Sequence, residues 1–161
     1  MTDDLIIEGY ASRFGERDLG GDIVRPGAFA ASLLTRTVPF PMLYAHDTDT
    51  PIGVWTRVVE DETGLFVRGT LQGGSSQSDR AAALVQSGAV SGLSIGYRTL
   101  RARETAQGRE LLDIELWEIS LVAFPMLPSA RILRADAPSM PAMAQPSPAS
   151  TPTTQQERIA A

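Results

Sequence analysis

The chain has 161 residues, 43% of them hydrophobic and 20% charged, proportions suited to one globular domain with a core of its own. A formal net charge of -5, with every basic residue an arginine, argues against a surface built to neutralise phosphates. With no cysteine and His46 as the only histidine, disulfides, thiolate metal sites, a cysteine nucleophile and any two-histidine metal site within the chain are excluded.

The start, MTDDLIIEGY, is acidic and quickly polar, unlike a secretion signal. No apolar run approaches the roughly 20 residues needed to span a bilayer, so folding in a cytosol is expected. Ile6 to Phe14 reads as a first strand. Arg17 to Asp22, with adjacent glycines, is a turn-rich loop. Asp18 and Asp22 lack the acidic spacing of a calcium loop and read as turn formers. Arg25 to Phe29 opens a short helix reaching Leu34, with Pro26 near its start. Pro39 and Pro41 break helical geometry. Met42 to Ala45 reads as a short strand delivering His46 to the loop HDTDTP. Ile52 to Val59 and Leu65 to Leu71 form a predicted hairpin across Asp61–Gly64. GGSSQS is a flexible connection without the lysine of a phosphate-binding loop. Asp79 to Ser87 reads as a helix with Ser78 as N-cap and Gly88 just past its end.

Gly88 to Tyr97, GAVSGLSIGY, follows as a strand. Leu93, Ile95 and Tyr97 alternate with Gly92, Ser94 and Gly96, so Ser94 stands on a face without a side chain two residues to either side. Such bareness marks close approach of a ligand or of another chain segment. An open serine also suits a nucleophile, provided a base lies elsewhere. The competing reading is a strand whose glycines merely relieve crowding. After a turn near Ala106–Gly108, a long strand runs from Arg109 to Ala123. In DIELWEISLV, strict alternation puts Ile114, Leu116, Glu118, Ser120 and Val122 on one face and Trp117, Ile119 and Leu121 on the other, both largely apolar. A carboxylate buried there needs a partner. An arginine would serve, and so would the imidazole of His46, whose unperturbed pKa near 6.5 suits a general base. Asp113 and Glu115 are rivals of Glu118, nearer the open end of the strand, while Asp47 is too close in sequence to His46 to bond its ring easily.

Residues 135–161 are rich in Pro, Ala, Ser, Thr and Gln and nearly lack large apolar side chains, so a disordered tail is expected after a domain covering residues 1–134. The expected fold is mainly β with a few helices: a closed or partly closed β-barrel core with short helices around it.

Taken in order, GYASRF, DLGGDIVRPGAF, LYAHDTDTPIG, GLFVRGTL, SGAVSGLSIGY and ELWEISLVAFPMLPSARI resemble the prohead proteases of tailed phages of the HK97 type, relatives of the herpesvirus assemblin proteases. The resemblance covers roughly Ile6 to Ile132. It implies a serine endopeptidase that works inside the assembling prohead in a bacterial cytoplasm. Its implied substrates are the major capsid protein or a scaffold protein, and finally itself. Self-association is left open, no nucleic-acid or membrane partner is implied, and no cofactor or metal is needed. The family's histidine falls on His46 and its serine, the nucleophile, on Ser94. The third member is a histidine in the related viral enzymes; here Glu118 occupies that region, and a second histidine does not exist in the chain. Backbone amides, with an arginine such as Arg131, would stabilise the oxyanion. The alternative is a β-barrel of capsid assembly that kept the fold and lost the activity.

Overall fold

The computed structural model describes residues 3–139. Eight strands and two helices follow one another as β1 (Leu5–Arg13), β2 (Asp22–Val24), α1 (Ala30–Thr35), β3 (Phe40–Tyr44), β4 (Gly53–Glu60), β5 (Gly64–Leu71), α2 (Ser76–Gln86), β6 (Gly92–Thr105), β7 (Gly108–Val122) and β8 (Ile132–Asp136). No helix among the described residues is long and apolar enough to cross a membrane.

All eight strands share one sheet. The order along it is β2-β7-β3-β4-β5-β1-β8, with β6 paired to β7 as well. Each strand has two edges. β6 covers one edge of β7 along nearly its whole length, so β2 and β3 take turns on the other, both parallel to it. The remaining pairs are antiparallel, including the hairpin of β4 with β5 that the Asp61–Gly64 turn specifies. The turn is held by Asp61 Oδ1, which accepts from the amides of Thr63 and Gly64. One apolar cluster, including Ile7, Met42, Trp55, Leu65, Leu93 and Ile119, forms the buried core.

The expected barrel closure does not occur. The sheet ends at β6 and β8, and the seam between them carries only an isolated bridge between Gly92 and Arg131. Residues 123–131, which would have to complete the ladder, contain Pro125 and Pro128, and proline has no N–H to donate. Pro125 instead packs on Gly92, where a Cβ would collide with its ring.

Other details also depart from the sequence-based expectations. The strand expected over Gly88 to Tyr97 begins at Gly92 and runs on to Thr105, and Asp22, expected in a loop, opens β2. α1 begins at Ala30, after turns closed by Ala28 N–H to Arg25 and Ala30 N–H to Gly27, rather than near Pro26. α2 begins three residues before Asp79: Ser75 is the N-cap, and Ser78 is the third residue of a reciprocal capping box. β8 carries Ala135 and Asp136 into register with Ile7 and Ile6, so the ordered sheet passes the expected boundary at Arg134. Residues 140–161 of the expected tail lie outside the described residues.

Candidate active site

β7 is the spine of the site. Leu43 of β3 lies in register with Ser120 on one side, and Ser94 of β6 lies opposite Ser120 on the other. Paired residues share a face of the sheet, so Ser94, Ser120 and Leu43 form a row across three strands. Two residues along β7, Glu118 occupies the same face, opposite Gly96. Ser94, Glu118 and Ser120 are 7%, 8% and 0% exposed.

His46 reaches this face through a tight turn at the end of β3. Ala45 and His46 both have positive φ, 49° and 62°, and Asp47 N–H bonds Tyr44 O at 3.0 Å, the pattern of a type I′ turn. Histidine accepts left-handed backbone more readily than most residues; alanine does so at a cost of about 1–2 kcal/mol. The turn is fastened to β7 at both strained residues: Ala45 N–H to Leu121 O at 3.0 Å, and His46 N–H to Ser120 Oγ at 3.1 Å. Behind it, Gln77 of α2 donates to Asp47 Oδ2 at 3.0 Å, so Asp47 is turned away from the imidazole. Backbone strain of this kind is held only where the surroundings over-determine it, and it concentrates at functional sites.

The folded turn sets His46 Nδ1 2.5 Å from Glu118 Oε1. The other carboxylate oxygen, Oε2, accepts from Ser120 Oγ at 2.7 Å. In the tautomer that donates from Nδ1 to the carboxylate, Nε2 carries the free lone pair of the neutral ring. The Glu118 hydrogen bond raises the His46 pKa above its ordinary 6.5, Glu118's charge adds to this, and partial burial opposes it. Contact with imidazole and hydroxyl is also what makes a carboxylate tolerable at this depth. The rivals lie earlier on β7: Glu115 pairs with Arg98 at 2.9 Å, and Asp113 stands opposite Arg101 in register.

Two expectations about this region are corrected. The bare flanks of Ser94 are not open space: Gly96 makes room for the Glu118 carboxylate and Gly92 for Pro125. Strict alternation along β7 also fails. The register slips between Gly96 and Tyr97, leaving Trp117 as an extra residue, 53% exposed, and moving Leu116 to the face of Tyr97. The bulge lies immediately before Glu118, at the step where the strand must deliver a polar side chain. Ser120 was visible in the sequence only as one member of an apolar face; nothing in its neighbours marked it as a contact of both His46 and Glu118.

Arg131 is anchored by bonds from Nε to Pro128 O at 2.8 Å and from Nη1 to Ser91 Oγ at 3.0 Å, beside the start of β6. Ser94 also lines a cleft with Leu93, Val24 and Leu127 and with the charged Arg13, Asp18 and Asp22; His46 and Glu118 are not among its lining.

A curled, mainly β sheet that sets a strand-borne serine one row from an imidazole–carboxylate pair defines a class of architecture rather than a single protein. Residues 1–146 match the family model described as Caudovirus prohead serine protease, and the chain belongs to that family. It is 41% identical over 124 residues to the prohead protease of Enterobacteria phage HK97, covering 74% of this chain and 55% of the relative, so the chain spans about half the relative's length. The fold is shared at low identity with solved viral proteases. The bacteriophage T4 capsid assembly protease superposes with a TM-score of 0.59 at 14% identity, covering 73% of this chain and 80% of that one. The protease of Kaposi's sarcoma-associated herpesvirus, solved with a hexapeptide phosphonate inhibitor, gives 0.58 at 15% identity, covering 81% and 64%.

Proposed function

We propose that the chain is a serine endopeptidase that trims capsid or scaffold protein within the assembling prohead, with Ser94 as nucleophile, His46 as general base and Glu118 orienting the ring. The observation that carries this reading is the 2.5 Å contact of His46 with Glu118 on the sheet face that also bears Ser94. In the proposed reaction His46 Nε2 takes the Ser94 proton as Oγ attacks the substrate carbonyl carbon. The tetrahedral intermediate collapses to an acyl-enzyme, and the imidazolium returns that proton to the departing amine. Water, deprotonated by the same nitrogen, then releases the acid and regenerates Ser94. The chemistry asks for an extended peptide beside β6, and a cleft with both apolar and charged walls lies next to Ser94. An inactive structural role finds no support in the relatives, which are described as proteases.

Co-expression with the capsid-protein gene, followed by intact-mass measurement, tests the reading. Wild type is expected to truncate the capsid protein, and Ser94→Ala to leave it whole, since a triad serine carries about 10⁴- to 10⁶-fold of the rate. The same spectra test self-cleavage within residues 135–161, which only the wild type should show. Truncation of the capsid protein by Ser94→Ala at the wild-type rate would sink the assignment.

A further inference from the structure

Ser120 stands at the centre of the site without belonging to any of its three expected roles. It is fully buried, directly opposite Ser94 in register, and two residues from Glu118 on the same strand. Its hydroxyl makes two contacts, 3.1 Å to His46 N and 2.7 Å to Glu118 Oε2. The direction of each is fixed by chemistry. A backbone amide can only donate, so Oγ accepts from His46. The hydroxyl's one proton is then free for Oε2, which as a carboxylate oxygen accepts.

We propose that Ser120 is the positioning residue of this site, a clamp that holds both halves of the imidazole–carboxylate pair in one geometry. The inference rests on the reading of Ser94, His46 and Glu118 as one proteolytic unit. One side of the clamp fixes the backbone of His46 at its left-handed residue, where the N–H would otherwise lose a partner at the edge of a buried face. The other side fixes Oε2, and a carboxylate anchored by one oxygen presents the other in a single direction, here toward Nδ1. A short, charge-assisted contact depends steeply on angle and distance, so orienting it matters more than adding another bond. The position also calls for serine in particular. Alanine keeps the shape and removes both contacts. A longer side chain opposite Ser94 would crowd the nucleophile across the strand pair.

The single histidine supplies a readout that does not need activity: the Hε1 resonance of His46 is the only one of its kind in the chain. The ring should be titrated by NMR in the Ser94→Ala protein, which cannot degrade itself, and again with Ser120→Ala or Ser120→Thr added. The expected result is a midpoint above 6.5 in the parent, a fall toward the ordinary value with Ser120→Ala, and a midpoint near the parent's with Ser120→Thr, which keeps the hydroxyl. In the Ser94-containing enzyme, Ser120→Ala should lower kcat about 10- to 100-fold with KM little changed, the scale of a small misplacement of reacting groups. An unchanged midpoint in Ser120→Ala overturns the clamp. So does a midpoint that collapses equally in folded Ser120→Thr, because packing rather than the hydroxyl would then be responsible. Failure of the protease reading shows itself separately, as capsid protein left whole by the wild type or truncated equally fast by Ser94→Ala.

Discussion

His46 and Glu118 meet at 2.5 Å although 72 residues separate them, and each is brought to the meeting by a local irregularity of the chain. The histidine comes from a left-handed turn, and the carboxylate stands next to a β-bulge. The pair's first consequence is for pH. Glu118 stabilises the imidazolium, so the neutral, basic ring becomes the major form only above the ordinary value of 6.5, and kcat/KM should rise through a midpoint on that higher side. In Glu118→Gln the midpoint should fall back toward 6.5 and the rate should drop by about 10- to 10⁴-fold. The same shift affects stability. A raised folded-state pKa stabilises the fold in full below the unfolded value, and that contribution is lost as pH rises through the folded value. Urea titrations of wild type and Glu118→Gln at several pH values should therefore converge as pH rises. A pH–rate profile that Glu118→Gln leaves unchanged would remove Glu118 from the site.

Gly96→Ala should inactivate without unfolding. A Cβ at residue 96 would overlap Glu118 Oε1, the oxygen that faces His46. The carboxylate must shift from its contacts with His46 and Ser120, so the expected loss of stability is about 1–3 kcal/mol, while cleavage falls by an order of magnitude or more. Circular dichroism together with a cleavage assay checks both halves, and a fully active Gly96→Ala enzyme would contradict the geometry.

Ala45→Gly should be neutral or stabilising, an unusual outcome for putting glycine into a folded protein. The φ of 49° at Ala45 carries strain that glycine would not feel, against about 0.4–1 kcal/mol of added unfolded-state entropy. Ala45→Val, β-branched and poorly suited to this region, should destabilise by more than 1 kcal/mol, roughly. Denaturation midpoints of the two variants should move in opposite directions or, at the least, differ clearly.

Asp22→Asn should loosen β2 at one wall of the cleft beside Ser94 while leaving the His46–Glu118 contact in place. Asp22 accepts two bonds from Arg109, both 2.8 Å, and one from Tyr97 Oη at 3.1 Å, and these tie the three-residue strand to the start of β7. The Arg109 bonds hold its carboxyl below the usual 3.8 against partial burial. Its contribution is therefore present above that value and lost as pH falls through the folded pKa. Removing the charge should cost about 1–2 kcal/mol near neutral pH and progressively less in acid. An equal loss at all pH values would show that shape, not charge, joins the strands.

Period-two alternation located β6 and the Ser94 face, and composition singled out His46, because a chain with one histidine offers no other imidazole. Glu118 was legible as a buried carboxylate in need of a partner. The rest depended on information that one segment does not hold. The slip at Trp117 is set by how β6 and β7 pair, so alternation read on β7 alone placed Leu116 and Glu118 together. The glycines beside Ser94 announced close approach, but which groups approach, Glu118 and Pro125, is a tertiary fact. Ser75 and Ser78 are both good caps by type, and the capping box uses the pair. Barrel closure was inferred from strand count, whereas the prolines of residues 123–131 decide against it.

The order in which the chain is made bears on when such a site can work. The polypeptide leaves the ribosome with His46 and Ser94 well before Glu118 and Ser120, and β3 gains its β7 neighbour only after the intervening hairpin, helix and β6 have been synthesised. Contacts across 72 and 74 residues close late, since the loop entropy must be met before the pairing stabilises anything. Until β7 docks, the imidazole has no carboxylate to set its tautomer and its turn has nothing to hold it left-handed. The topology thus delays assembly of the site in nascent chains: a half-made molecule carries Ser94 and His46 but not the strand that sets Glu118 and Ser120 beside them.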